Sequence, residues 1–248
     1  MFEQDYIDNE RAQQIAKSNY LIQKSKYELS ARTQKVLLYC ISKIKPEDPD
    51  YTMYHIAYSD ICAVCGIKQS TQNYQDLDDI IKPLYDDSFK IIQDGKAMVF
   101  HWIEGVEYGL NHTSFSYRFD PRLSKYLFHL QENYTKFELE CSLAMKSKYS
   151  IRMYELMRSY AFLGECDLSV RELKEYLNAP NYSKFADFRI QIIERSLEEI
   201  NEYTDIYVEF SSVRQGRSIQ RLKFDIRTKS SKEHLLTKLR RESVLDGK

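Results

Sequence analysis

The sequence predicts an α+β chain in which one structural unit occurs twice by internal duplication. Residues 30–119 and 147–227 both run through a helix, a short capped helix, a longer helix and then alternating strands joined by a turn. The helical landmarks recur at a spacing of roughly 110–117 residues, which is too long for a solenoid and indicates duplicated domains. Three helices followed by a strand pair, the wing, form a winged helix-turn-helix. The predicted fold class is therefore two tandem winged-helix domains.

The first unit opens with an amphipathic helix between Asn19 and Lys45, where apolar residues fall at helical spacing. A short helix is predicted to follow Ser59 as its N-cap, and a third helix covers about 71–87. Strands are predicted over 89–93, 97–103 and 113–119, with a tight Asp94-Gly95 turn after the first.

The second unit begins at about Ser147, and Ser169-Val170-Arg171-Glu172 has the capping-box pattern that opens a helix. A long helix then runs from about Ser183 to Tyr203, and the final hairpin pairs 205–211 with 219–227. The predicted division of the chain is a flexible N-terminus (1–17), winged-helix domain 1 (18–130), winged-helix domain 2 (131–227) and a basic C-terminal tail (228–248).

Composition argues against several classes of protein. With seven glycines and no Gly-rich phosphate loop, we expect no nucleotide cofactor. The five cysteines, odd in number and set among apolar neighbours, fit a reduced compartment. Cys62 and Cys65 lack the second ligand pair that a zinc site needs, so we expect core cysteines and no metal. An acidic N-terminus without an apolar stretch predicts a cytoplasmic protein that does not enter a membrane.

Basic residues are concentrated near the C-terminus, although the formal net charge is only −1. Residues 211–241 hold ten Lys and Arg residues against two acidic residues. Phosphate binding depends on local positive potential, because counterions are released where cations meet the nucleic-acid backbone. This excess favours double-stranded DNA as the partner, although a solvated tail explains 228–248 equally well.

The third helix of the second unit carries the candidate base-reading residues. Projected at about 3.6 residues per turn, it has a predicted buried stripe of Ala186, Ile190, Ile193, Leu197 and Ile200. The opposite face presents Lys184, Phe188, Gln191 and Arg195, with Asp187 beside them. In a major groove, Gln pairs with adenine and Arg or Lys with guanine. On this helix alone, an ordinary solvated face is the simpler interpretation.

The wing shifts that balance toward DNA binding. In the last strand, Leu222, Phe224 and Ile226 alternate with Arg221, Lys223, Asp225 and Arg227. With Arg214 and Arg217 at the hairpin tip, this pattern predicts a row of cations along a strand edge, where they would hold phosphates.

The third helix of the first unit is acidic instead. Its polar residues are Asp76, Asp78, Asp79, Asp86 and Asp87, which phosphates would repel. The candidates for DNA contact there are Lys68, Gln69, Gln72 and Lys82. We therefore expect the second unit to read DNA and the first to contribute weaker contacts or another function.

Several segments together resemble the iteron-binding Rep family of plasmid replication initiators, the initiator RepB superfamily. The resemblance covers about residues 18–227, and Ser147-Lys148-Tyr149-Ser150-Ile151-Arg152-Met153-Tyr154-Glu155-Leu156 is quite specific. The other segments that carry it are 18–22, 29–37, 185–195, 199–201 and 204–206.

The resemblance implies a non-enzymatic protein that binds direct repeats at a plasmid origin and opens adjacent AT-rich DNA. It also implies recruitment of the host initiator and the replicative helicase, and a homodimer that binds an inverted repeat and represses its own gene. The first domain would mediate dimerisation, and the second would make the base contacts through 183–195. By position, Ser183 opens the base-reading helix, and Lys184, Arg189 and Gln191 are its expected contacts.

Two alternatives stay open. A winged-helix transcriptional repressor without a role in replication would use the same helices. A nicking or strand-transfer enzyme that uses a tyrosine is disfavoured, because no His-x-His pair is present to hold a metal beside the nucleophile.

Overall fold

The computed structural model describes residues 2–67, 73–93, 95–109, 113–216 and 218–246. The chain forms two compact units. Unit 1 contains the residues up to Leu21 together with Leu29–Leu143. Unit 2 contains Ile22–Glu28 together with the residues from Ala144 onward.

The elements before residue 139 belong mainly to unit 1. The helices are α1 Phe2–Arg11, α2 Asn19–Lys24, α3 Ala31–Ser42, α4 Tyr58–Cys65, α5 Asn73–Tyr85 and α6 Ser124–Leu127. The strands are β1 Gln14–Ser18, β2 Tyr54–Ala57, β3 Phe89–Gln93, β4 Lys96–Phe100, β5 Ile103–Tyr108, β6 Ser114–Phe119 and β7 Tyr134–Glu138. A short 3₁₀ turn over Pro121–Leu123 precedes α6.

The remaining elements lie in unit 2, except that α7 belongs to unit 1 up to Leu143. The helices are α7 Leu139–Ala144, α8 Lys148–Tyr160, α9 Val170–Tyr176, α10 Phe185–Phe188, α11 Arg195–Tyr203 and α12 Ser231–Leu245. A π-helical segment, Arg189–Glu194, joins α10 to α11. The strands are β8 Glu165–Ser169, β9 Ile206–Gln215 and β10 Ser218–Thr228.

Both units contain a three-stranded antiparallel sheet of the same topology. The strand order is β2-β6-β5 in unit 1 and β8-β10-β9 in unit 2, so the last strand is central in each. In each unit the first strand runs directly into the short helix, α4 or α9. Unit 1 has an additional hairpin, β3–β4, between its third helix and its sheet. This shared order confirms the predicted duplication of a winged-helix unit.

The cores follow the alternation that the sequence predicts. Phe115, Tyr117 and Phe119 of β6 are almost completely buried, and the residues between them are partly exposed. The Tyr117 hydroxyl donates to the Cys40 carbonyl at 2.9 Å, which ties the central strand to α3. Tyrosines buried in this way explain part of the high tyrosine content without any catalytic role.

The N-terminal residues 1–17 differ from the predicted flexible segment. They contain α1 and most of β1, which pairs antiparallel with β7. The buried Arg11 side chain donates to the carbonyls of Val64 and Ala63 at 3.2 and 3.0 Å, at the end of α4. These partners lie more than 50 residues away in sequence, so the local polar composition does not reveal them.

Residues 228–248 also differ from the predicted tail. A capping box formed by Ser230 and Glu233 opens α12, and the fully buried Arg241 donates to the Tyr203 carbonyl at 3.0 Å. Lys229 donates to the carbonyls of Asn201 and Thr204 at 2.6 and 2.7 Å. Two of the basic residues counted toward DNA binding therefore hold the C-terminal end of α11 instead.

The boundary of unit 2 also differs from the prediction. The contacts divide the chain after Leu143 rather than at 130, and they assign Ile22–Glu28 to unit 2. The guanidinium of Arg152 lies 3.9 Å from the ring centre of Tyr27 and 4.2 Å from that of Tyr176. It also donates to the Ser25 carbonyl at 2.9 Å. Ile22–Glu28 is therefore a strap that is separated from the rest of unit 2 in sequence.

Candidate nucleic-acid interface

The third helix of unit 2 is interrupted by the π-helical segment. A π-helix bonds residue i to i+5, so one turn holds a residue more than an α-helical turn. A projection with the uniform α-helical period therefore loses its phase across 189–194. This shift decides which side chains the helix presents to solvent.

The residues buried on this helix are those expected when the helical phase shifts at the π-helical segment. Phe188, Ile192, Ile193, Leu197 and Ile200 are at most 6% exposed. The prediction that Phe188 lies on the DNA-facing side is wrong, since its ring is fully buried. The prediction that Ala186 and Ile190 are buried is wrong as well, because both are exposed.

The exposed face keeps most of the polar candidates. Its members among the predicted site residues are Ser183, Lys184, Asp187, Arg189, Gln191 and Arg195. Arg189 forms an ion pair with Glu194 at 3.3 Å, and both side chains are nearly half exposed. A pair this exposed contributes about 0–1 kcal/mol, so a phosphate or a base edge can compete for the guanidinium.

The wing alternates as the sequence predicts. Leu222, Phe224 and Ile226 of β10 are buried, and the residues between them are exposed. The cations, however, do not line an edge, because β10 is the central strand between β8 and β9. That part of the prediction is wrong. Nothing local in the sequence shows that β8, the strand before α9, pairs with the outer side of β10.

Acidic residues of β8 pair with the wing cations. Arg221 lies 2.9 Å from Asp167, and Lys223 lies 2.9 Å from Glu165. The hydrogen bond that the Lys223 ammonium donates to the Glu165 carboxylate raises the pKa of Lys223. This surface of the wing therefore carries paired positive and negative side chains rather than a row of cations, and about half of each paired side chain is exposed to solvent.

At the hairpin tip, Arg214 is exposed, while Arg217 lies outside the described residues. Arg227, farther along β10, pairs with Glu233 at 2.8 Å and stacks on Tyr207 at 4.6 Å from the ring centre. Among the predicted wing contacts that the structure describes, Arg214 is exposed and forms no ion pair with another described residue.

One carboxylate of the acidic helix of unit 1 binds tyrosine hydroxyls of the same unit. Asp78 accepts hydrogen bonds from the hydroxyls of Tyr108 and Tyr85 at 2.9 and 3.3 Å. Lys82 lies 3.9 Å from Asp86. The candidates Lys68, Gln69 and Gln72 fall outside the described residues.

Comparison with known proteins identifies the family. A model of the initiator replication protein domain WH1 matches residues 14–158, and a model of the initiator Rep protein domain WH2 matches residues 169–226. The chain belongs to the initiator replication protein family. This membership confirms both the resemblance and the tandem winged-helix fold.

Two known proteins are similar to this chain. The PI protein of Escherichia coli is 30% identical over 142 residues, which are 50% of this chain and 47% of that protein. The alignment thus spans about half the length of that curated relative. A solved structure of the Pi initiator protein in complex with iteron DNA aligns with a TM-score of 0.72 and 22% identity. It covers 89% of this chain and 99% of that one.

The cysteines of this chain are core residues, as expected. All five are buried and none forms a disulfide. Burial raises the pKa of Cys40 to about 12 and that of Cys166 to about 12, so both thiols stay protonated at neutral pH. Among the residues that the structure describes, no cluster of three or more His, Cys, Asp and Glu side chains could hold a metal. Within the same residues, no helix is long and apolar enough to span a membrane.

Proposed function

We propose that this initiator binds repeated sequences at a plasmid origin as duplex DNA, and that unit 2 reads the base pairs through its third helix. The observation that carries the proposal is the exposed face of 183–195, which displays Lys184, Gln191 and Arg195 on a winged-helix unit of an initiator family. The Pi initiator, whose fold this chain shares, is known in complex with iteron DNA.

The chemistry of that face suits a major groove. The amide of Gln191 can bond adenine N6 and N7 at once, and Lys184 or Arg195 can bond guanine O6 and N7. Asp187 can accept from cytosine N4. Arg214, and Arg221 when it exchanges Asp167 for a phosphate, would hold the backbone and fix the register of the helix.

The wider proposal follows the family. Binding would promote opening of AT-rich origin DNA and recruitment of the host initiator and helicase, in the cytoplasm and without a covalent step. A dimer formed through unit 1 would bind an inverted repeat and repress the initiator's own gene. Membership of an initiator family favours this function over a repressor that has no role in replication.

Deletion of the gene from its replicon tests the choice. Loss of replication, restored when the protein is supplied in trans, supports the initiator. Continued replication with derepressed transcription supports the repressor instead. Trapping of the protein covalently on a supercoiled origin would contradict the non-enzymatic part of the proposal.

A further inference from the structure

Ile190 is an apolar side chain on a helix face that is otherwise polar or small. It is 44% exposed, although Phe188 and Ile192, two residues to either side, are buried. The π-helical segment accounts for this, because its extra residue turns position 190 outward while its neighbours stay on the core. Ala186, four residues earlier, is exposed as well. Ile190 therefore does not serve the core of unit 2.

The position of Ile190 sets it apart from the other exposed apolar residues of unit 2. In the part of unit 2 that the structure describes, the other large ones lie in the α8–β8 connection, on β9 or on α12. They are Phe162, Leu163, Val213, Leu235, Leu236, Leu239 and Val244. Ile190 lies within the proposed base-reading helix, directly before Gln191.

A major groove offers such a side chain one apolar partner on the base edges. Thymine carries a 5-methyl group there, while the other bases present hydrogen-bond donors and acceptors. An A·T pair displays adenine N6 and N7 beside this methyl group. The two side chains are thus complementary to the two bases of one A·T pair: the Gln191 amide suits adenine, and the apolar Ile190 suits the thymine methyl group.

We infer that Ile190, with Ala186 beside it, contacts the 5-methyl group of a thymine and sets specificity at that base pair. The inference rests on the proposed function, because it requires this helix to lie in the major groove. Sequence alone hides the residue, since a regular helical period places it in the core.

The test removes a single methyl group from the DNA. The chain of 248 residues first selects its preferred duplex from a random-sequence pool. Each thymine of that duplex is then replaced in turn by 2′-deoxyuridine, which lacks the 5-methyl group, and affinity is measured by fluorescence anisotropy. For the unaltered protein we expect one replacement to weaken binding roughly fourfold, the effect of one buried methyl group.

The variant Ile190→Ala should lose sensitivity to that replacement while still selecting the same flanking bases. Ile190→Val, which keeps most of the apolar surface, should retain it. Leu239→Ala is the matched control, because Leu239 is 55% exposed on α12 and should leave the uridine profile unchanged.

The outcomes separate the two proposals. Failure of the unaltered protein to enrich any sequence overturns the proposed function and this inference with it. Selection of a defined sequence whose uridine profile is flat, or is the same for Ile190→Ala, leaves the proposed function standing and overturns the role of Ile190.

Discussion

Lys184 and Gln191 are expected to make contacts of different kinds on the proposed base-reading face. Gln191 is neutral, so Gln191→Ala should cost about 1–3 kcal/mol on the selected duplex and nothing on random DNA. Lys184→Ala should cost a similar amount on the selected duplex and also weaken random binding, because it removes a cation. Anisotropy titrations on both duplexes measure these effects. Arg171→Ala, at an 88% exposed side chain on α9, is the control, and equal losses on both duplexes would contradict the roles.

The ion pairs of the wing predict that removing an acid strengthens binding. Asp167→Asn removes the carboxylate that pairs with Arg221 at 2.9 Å and leaves its weaker bond to the Asp167 carbonyl, so a phosphate can replace the lost negative charge. We expect tighter binding to random duplex and a salt slope steeper by about 0.9 per added contact. The control is Glu242→Gln on α12, which changes the net charge equally. A matching gain in that variant would assign the effect to overall charge.

At the scale of the element, the π-helical segment separates what the sequence reveals from what it does not. Hydrophobic periodicity predicts a third helix and most of its core residues, because Ile193, near the end of the π-helical segment, and then Leu197 and Ile200 keep a regular helical spacing. It places Phe188 and Ile190 on the wrong faces, because a one-residue insertion has no compositional signature. The outward faces of helices therefore need coordinates, whereas their existence does not.

Deleting one residue from this segment tests its purpose. Deletion of Arg189 would place the buried residues on one stripe of a continuous α-helix. These residues are Phe188, Ile192, Ile193, Leu197 and Ile200. We expect the deletion variant to keep its helical circular dichroism and its midpoint of urea unfolding, yet to lose sequence preference, since Ile190 and Gln191 are rotated. Arg189→Lys, which keeps the insertion and a cation that can bond a guanine or a phosphate at this position, should retain the preference. Unchanged selection by the deletion variant would show that the π-helical segment does not orient the reading face.

The capping box of α12 should make its contribution to stability depend on pH. Glu233 bonds Arg227 and the backbone N–H of Ser230, and these bonds lower its pKa to about 2. A lowered folded pKa stabilises the fold above the unfolded value of about 4.5, and the gain is lost as pH falls toward 2. Glu233→Gln should thus be less stable than the unaltered protein at pH 7, and the gap in urea midpoint should narrow below pH 4.5. The gap for Ser230→Ala should narrow less, because the bond from the Glu233 N–H to the Ser230 hydroxyl does not titrate, although the bond from that hydroxyl to the Glu233 carboxylate does.

At the scale of the whole molecule, the duplication and the family are visible in the sequence, but the limits of the units are not. The order of elements and the segment around Arg152 suffice to predict two winged-helix domains. The strap Ile22–Glu28 joins unit 2 through contacts to residues more than 100 positions away, such as the bond from Arg152 to Ser25. Such contacts leave no local pattern, and for the same reason α1, β1 and α12 look like flexible ends.

The strap also predicts how unit 2 behaves when it is cut from the chain. Arg152 and Glu155 form a buried ion pair at 3.2 Å, which Tyr27 and the Ser25 carbonyl complete. A fragment that begins at residue 144 keeps the ion pair and loses a hydrogen bond and a cation–π contact of Arg152, which costs on the order of 2–5 kcal/mol. We expect this fragment to show a lower and broader thermal transition than one in which a flexible linker restores 22–28.

Replacing Arg152 and Glu155 tests whether their buried charges cause the expected loss of stability. Arg152→Leu combined with Glu155→Leu removes both buried charges, and apolar replacement of a buried pair is often neutral or stabilising. In the fragment, this double variant should recover part of the lost melting temperature. Arg171→Ala with Glu175→Ala, an exposed pair at 3.0 Å on α9, should recover none, because exposed pairs contribute about 0–1 kcal/mol. A fragment that melts like its strap-containing counterpart would mean that the strap is dispensable and that unit 2 begins at Ala144.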